Sequence, residues 1–167
     1  AMKVIQNDME DEDLRKFTSR ELLIMTQLNH PCIIKLIGLS LPSKNDQNFR
    51  LYSEYIPNKP LIKYLKKEEP IELNATQKTK IIYGIASAMK YLHSIDIAHR
   101  DLKPENVLLN SEFEPVLTDF ELSRICNDDI SMSARMGTPY YMAPELFEDG
   151  SSKDNKITKK IDVYSFA

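Results

Sequence analysis

The sequence predicts an α+β fold in two lobes, and three observations predict it. The chain opens with strand-like segments around one helix and continues mostly with helices, the order of an α+β arrangement rather than of alternating βαβ units. Its 167 residues are enough for one domain with a real core. No internal repeat or low-complexity segment competes with that reading.

The elements follow in order. "MKVI" reads as the tail of a buried strand. "EDEDLRKFTSRELLIMTQLNH" reads as a helix, with acidic residues in the first turn where the macrodipole favours them. Its apolar stripe is Leu14, Phe17, Met25 and Leu28. Glu21 falls on that stripe, four residues from both Phe17 and Met25, and a carboxylate facing a core needs a cation. "CIIKLIGLSL" and "FRLYSEYI" are strand candidates joined by the polar "PSKNDQN". "LIKYLKK" is a short helix. "NATQKTKIIYGIASAMKYLHS" is the clearest helix: Asn74 caps it with Gln77 three residues on, and Ile82, Ile85, Met89 and Leu92 are read as its buried face. "VLL" and "PVLT" are short strands, and "ITKKIDVYSFA" opens another helix.

Composition narrows the function classes. The net charge of −3 offers no clustered basic face for nucleic acid. There is no long apolar run and no signal-like amino terminus, so a soluble cytoplasmic protein is expected. Cys32 and Cys126 lie in no metal-like spacing and are expected to be buried or indifferent thiols. Four glycines are few against a usual share of about 7%.

The chemistry gathers in "HRDLKPEN", His99 to Asn106. A loop with Asp101, Lys103 and Asn106 within six residues can bring a proton acceptor, a phosphate partner and a metal ligand to one point. On its own an Asp-x-Lys is a solvated loop, but its neighbours decide otherwise. The loop resembles the catalytic loop of eukaryotic protein kinases. "AMK" resembles the end of that family's Val-Ala-Ile-Lys strand, and "DFE" stands in the place of its Asp-Phe-Gly. "GTPYYMAPE" resembles the close of the activation segment, and "DVYSF" the start of the helix anchoring the carboxy-terminal lobe.

The resemblance implies a two-lobed protein kinase-like fold, with residues 1–56 as part of the amino-terminal lobe and hinge and 57–167 as part of the carboxy-terminal lobe. It also implies that both ends are cuts: a glycine-rich loop would precede Ala1, and most of the carboxy-terminal lobe would follow Ala167. Asp101 would accept the substrate hydroxyl's proton, and Lys103 would steady the transferring phosphate. Asn106 and Asp119 would hold Mg²⁺. Lys3, paired by Glu21, would hold ATP phosphates. Ser53 would sit at the back of the adenine pocket, the backbone from Glu54 to Ile56 would meet the adenine edge, and Ala1 and Leu108 would sandwich the ring. Lys103 two residues after Asp101 resembles a serine/threonine kinase, of the tyrosine-kinase-like group in style, acting on protein Ser/Thr hydroxyls. Thr138 would brace Asp101 and Lys103, and Asp162 would hold the backbone of the catalytic loop. Arg100 would meet a phosphate on the activation segment, with Ser131 and Ser133 as candidates. His99 is expected to pack beside Phe120, and His30 and His93 to be structural.

Glu121 departs from the pattern, since glycine there eases an unusual backbone path. At φ > 0 a Glu would cost about 1 kcal/mol. Like charges ~8 Å apart at an effective dielectric of ~20 repel by about 2 kcal/mol, a loss of roughly thirtyfold at worst. Glu121 is expected to burden the site without removing it. The alternative is a pseudokinase, or an inactive remnant that at most binds nucleotide or a partner.

Overall fold

The structure, a computed structural model, describes residues 1–5, 21–41, 48–126, 138–147 and 158–167. Three strands form the first sheet: β1 (Met2–Ile5), β2 (Leu36–Ser40) and β3 (Phe49–Ser53), in the order β1-β3-β2 and antiparallel throughout. Register places Lys3 opposite Leu51. Because side chains alternate across a strand, Leu51 turns inward and is buried, while Met2 and Tyr52 on the other face are exposed. The helical residues 21–27 (α1) contribute Glu21, Ile24 and Met25 to the buried set. Leu14 and Phe17 of the expected stripe lie outside the described residues.

The second part is built on α3 (Ala75–Ser94), which follows the short α2 (Leu61–Leu65). The capping box is present: Gln77 N–H donates to Asn74 Oδ1 at 2.9 Å, and Asn74 N–H donates to Gln77 Oε1 at 2.9 Å. The buried face of α3 is Ile81, Gly84, Ala88, Met89 and Leu92. Ile82, expected on that face, is 59% exposed. The helix turns its small residues to the next layer instead. A Cβ on Gly84 would come within 2.4 Å of Pro115 Cγ and 3.2 Å of Cys32 Sγ, so glycine is what permits this approach.

Against α3 lies the hairpin of β5 (Val107–Leu109) and β6 (Pro115–Leu117). A further ladder, β4 (Ile97–Ala98) with β7 (Arg124–Ile125), was not expected from the sequence; two-residue strands carry no readable period. The last element is α4 (Lys160–Phe166). The main core runs through both parts, from Ile24 and Leu51 to Leu92, Leu109 and Phe120. Leu117 N–H donates to Cys32 O, and Ile34 N–H to Leu117 O, both at 2.9 Å, stitching the chain before β2 to β6. Both cysteines are free, and burial pushes both thiols above the ordinary range, so neither is primed to react. Among the described residues no helix is long and apolar enough to cross a membrane.

Candidate active site

The loop between β4 and β5 is fixed from behind by α4. Asp162 Oδ2 accepts the His99 N–H at 2.9 Å and Oδ1 accepts the Arg100 N–H at 2.8 Å, with His93 Nε2 also 2.9 Å from Oδ2. These bonds hold a strained turn, since Arg100 has φ of 71°. His99 is wholly buried, its ring 5.1 Å from Phe120 and its Nε2 3.1 Å from Thr118 O. Burial holds its pKa below the ordinary histidine value, which suits a packed neutral ring rather than an acid or base.

The turn delivers Asp101 into a ring of donors. Lys103 Nζ donates to its Oδ2 at 2.5 Å and Asn106 Nδ2 to the same oxygen at 2.9 Å. Thr138 approaches from the distant segment 138–147, donating its backbone N–H (3.2 Å) and hydroxyl (3.0 Å) to Oδ1. Lys103 Nζ also donates to Thr138 Oγ1 at 2.6 Å. The carboxylate is 8% exposed, and both of its oxygens accept hydrogen bonds. Asn106 spends its NH₂ on Asp101 O and Oδ2, leaving its Oδ1 without a partner among the described residues. The Asp119 carboxylate likewise accepts no hydrogen bond there; the backbone carries it away from β6 through φ of 65°. Two open oxygen donors suit a hard divalent cation such as Mg²⁺.

A cleft of about 400 Å³ lies between the β1-β3-β2 sheet and the β5–β6 hairpin. Ala1, Lys3, Glu21, Ser53, Glu54, Ile56, Leu108 and Asp119, all expected at one site, line it, together with Met25, Leu51 and Glu121. Along its edge Glu54 spends its N–H on Lys35 O at 3.1 Å, and its carbonyl accepts the Ser53 hydroxyl at 3.3 Å. The N–H and carbonyl of Ile56 have no partner among the described residues and are open to a ligand. A larger groove of about 980 Å³ between α2, α3 and α4 is mainly apolar. Converging charge distinguishes the smaller cleft.

At the inner end of the cleft Lys3 Nζ donates to Glu21 Oε1 at 2.9 Å, giving the buried carboxylate its cation. Sequence reasoning missed a second partner: Glu121 Oε1 lies 2.5 Å from the same ammonium. Burial works against the Lys3 charge, yet the hydrogen bond to Glu121 and the charge of Glu21 outweigh it, and its pKa stands above the ordinary lysine value. Burial pushes the Glu21 carboxyl upward; Lys3 pulls it back, and Glu121 and Asp119 add to the rise. The φ penalty foreseen for Glu121 does not arise there. Positive φ belongs to Asp119, two residues earlier, so the strain sits on the carboxylate and not on its charged neighbour. Ser131 and Ser133 lie outside the described residues.

Comparison with known proteins shows the family of the chain. The profile of the protein kinase domain matches residues 1–167. Cysteine-rich receptor-like protein kinase 10 of Oryza sativa subsp. japonica is 41% identical over 154 residues, 87% of this chain and 22% of that protein. The RGS domain-containing serine/threonine-protein kinase A of Dictyostelium discoideum is 36% identical over 155 residues, 93% of this chain and 13% of that protein. A serine/threonine/tyrosine-protein kinase of Arabidopsis thaliana is 33% identical over 171 residues, 99% of this chain and 42% of that protein. The chain thus spans less than half the length of each of these relatives. The arrangement of Asp101, Lys103, Asn106 and Asp119 beside a Lys3–Glu21 cleft therefore stands in a chain that belongs to the protein kinase domain family.

Proposed function

We propose that the chain is the catalytic part of a protein serine/threonine kinase, transferring the γ-phosphate of ATP to a Ser or Thr hydroxyl. The observation that carries this reading is the Asp101 carboxylate, oriented by Lys103, Asn106 and Thr138 on the loop between β4 and β5. Phosphoryl transfer needs positioning and charge stabilisation more than a perturbed base. Asp101 aligns the substrate hydroxyl and takes its proton as the oxygen bonds to the γ-phosphorus. The bond to the β-phosphate oxygen breaks, and ADP leaves. Lys103, 2.5 Å from Asp101, is within reach of the same phosphoryl oxygens and offsets their charge. Lys3, held by Glu21, takes the α- and β-phosphates. Ser53 opens the back of the cleft, Ala1 and Leu108 enclose the adenine, and the backbone from Glu54 to Ile56 reads its edge, Ile56 with its open N–H and carbonyl. Asn106 and Asp119 would hold Mg²⁺, which supplies positive charge to the phosphates.

In this reading residues 1–56 belong to the amino-terminal lobe and 57–167 to the carboxy-terminal one. The name of one relative carries serine/threonine specificity and that of another serine/threonine/tyrosine specificity, and Lys103 supports the serine/threonine reading for this chain. A reduced, ATP-supplied cytoplasm fits two free, unreactive thiols.

The test is phosphate transfer from γ-labelled MgATP to a mixed Ser/Thr/Tyr peptide library, using the protein that carries this chain, followed by phosphoamino-acid analysis. Phosphoserine and phosphothreonine are expected, and Asp101→Asn should lower kcat by about a thousandfold or more. Phosphotyrosine alone would overturn the specificity. Nucleotide binding with no transfer would leave the pseudokinase reading, which Glu121 favours.

A further inference from the structure

Lys3 is held by two carboxylates of unequal standing. Glu21 is 5% exposed and comes from α1, with Lys3 as its hydrogen-bond partner. Glu121 is 54% exposed, comes from the loop after β6, and makes the shorter contact, 2.5 Å against 2.9 Å. Withdrawing the buried Glu21 would strand a charge in the core, a costly step. Withdrawing Glu121 costs little, because water can receive its carboxylate. The ammonium therefore has one fixed counter-ion and one exchangeable one.

The surrounding charge gives the exchange a direction. Carboxylate oxygens of Glu21, Asp119 and Glu121 lie within 4.8 Å of one another, and two of the three carboxylates contact the Lys3 ammonium. An anionic phosphate brought to Lys3 meets that excess, and like charges at such range repel strongly enough to matter even when partly screened. The only one of the three that is both in contact with Lys3 and free to leave is Glu121. A glycine at this position could not fill the contact, and its backbone does not require glycine, since Glu121 avoids positive φ.

We propose that Glu121 is a displaceable counter-ion for Lys3: it occupies the ammonium in the empty cleft and must yield it to nucleotide phosphate. The residue thereby raises the nucleotide concentration at which the site fills, and it acts on phosphate-bearing ligands only. The inference rests on the kinase reading in taking the cleft as a nucleotide site. Adenosine, which carries no phosphate, leaves the Lys3–Glu121 contact intact and pays no such cost.

The experiment is calorimetric titration of the protein carrying this chain, wild type and Glu121→Gln, with MgATP and separately with adenosine. Glutamine keeps the size of a half-exposed side chain and removes its charge, so folding is not at stake. The expected result is MgATP binding about three- to tenfold tighter in the variant, with adenosine unchanged. A parallel readout needs no nucleotide: amine-reactive labelling of Lys3 should be several-fold faster in the variant. An equal shift for both ligands, or none for MgATP, would overturn the proposal while leaving the kinase reading in place. Weaker MgATP binding in the variant would also overturn it, because Glu121 would then be serving the bound nucleotide. If MgATP binds neither protein, the nucleotide reading fails first and takes the proposal with it.

Discussion

The Asp162 carboxylate, at the start of α4, accepts the backbone N–H of His99 at 2.9 Å, across 63 residues of chain. It is 1% exposed, and its other oxygen serves the Arg100 N–H. Asp162→Ala would leave two buried N–H groups without an acceptor, each costing about 1–3 kcal/mol. The expected loss is about 2–6 kcal/mol of unfolding free energy, read from denaturant midpoints. Because the freed turn carries Asp101, activity should fall even at temperatures where the variant is folded. A variant that unfolds at the wild-type midpoint would show that the turn holds itself.

Thr138 is placed to act through others, donating to Asp101 and accepting from Lys103 with one hydroxyl. Thr138→Ala should lower kcat about 10- to 100-fold with KM for ATP nearly unchanged, since misplacement of the reacting groups is paid in the transition state. Thr138→Ser restores the hydroxyl and should recover most of the rate. Failure of serine to rescue would point instead to packing of the Thr138 methyl, which both variants lack, since the backbone N–H to Asp101 is kept in both.

Both relationships were expected only through the family resemblance, because neither Thr138 nor Asp162 is near Asp101 in the sequence. Asp101, Lys103 and Asn106 are near neighbours in the chain, so their spacing already places them together, and the Asn74–Gln77 capping box is legible for the same reason. Glu21 was legible as a misfit, a charge on an apolar stripe. The contact of Glu121 with Lys3 was not, because nothing local to "LTDFELSR" says which distant cation its carboxylate meets. The α3 face was misphased at Ile82 for another reason. Counting large apolar residues overlooks Gly84 and Ala88, whose smallness is what lets the helix close on β6.

Gly84 gives a prediction in which two effects oppose. Alanine gains about 1 kcal/mol of helix propensity over glycine. At this position its Cβ would meet the Pro115 ring at 2.4 and 2.9 Å and Cys32 Sγ at 3.2 Å. A proline ring cannot rotate away, so α3 and β6 must separate, and overpacking of this kind costs about 1–3 kcal/mol. Gly84→Ala should therefore be destabilising on balance. Pairing it with Cys32→Ala should recover only a small part, because the closer clash is with Pro115. A Gly84→Ala protein that melts above wild type would mean the helix shifts without cost.

Stability should also fall as pH drops through the histidine range. Burial lowers the His99 pKa in the folded state, and burial lowers that of His30 as well. The unfolded chain then binds more protons than the folded one once pH falls to about 6.5 and below. The contribution is whole above that value and declines toward the depressed folded pKa, at most about 1.4 kcal/mol per pH unit for His99. Glu21 works the other way: its raised pKa makes the folded state the better proton binder, so its contribution is lost as pH rises above the ordinary carboxylate range. Chemical unfolding from pH 8 to 5.5 should give a falling curve dominated by the histidines. His99→Phe keeps a ring against Phe120 and removes the titration, so its curve should be flatter over that interval, from a lower starting stability because the contact with Thr118 O is gone. An unchanged slope in that variant would exclude His99 as the source.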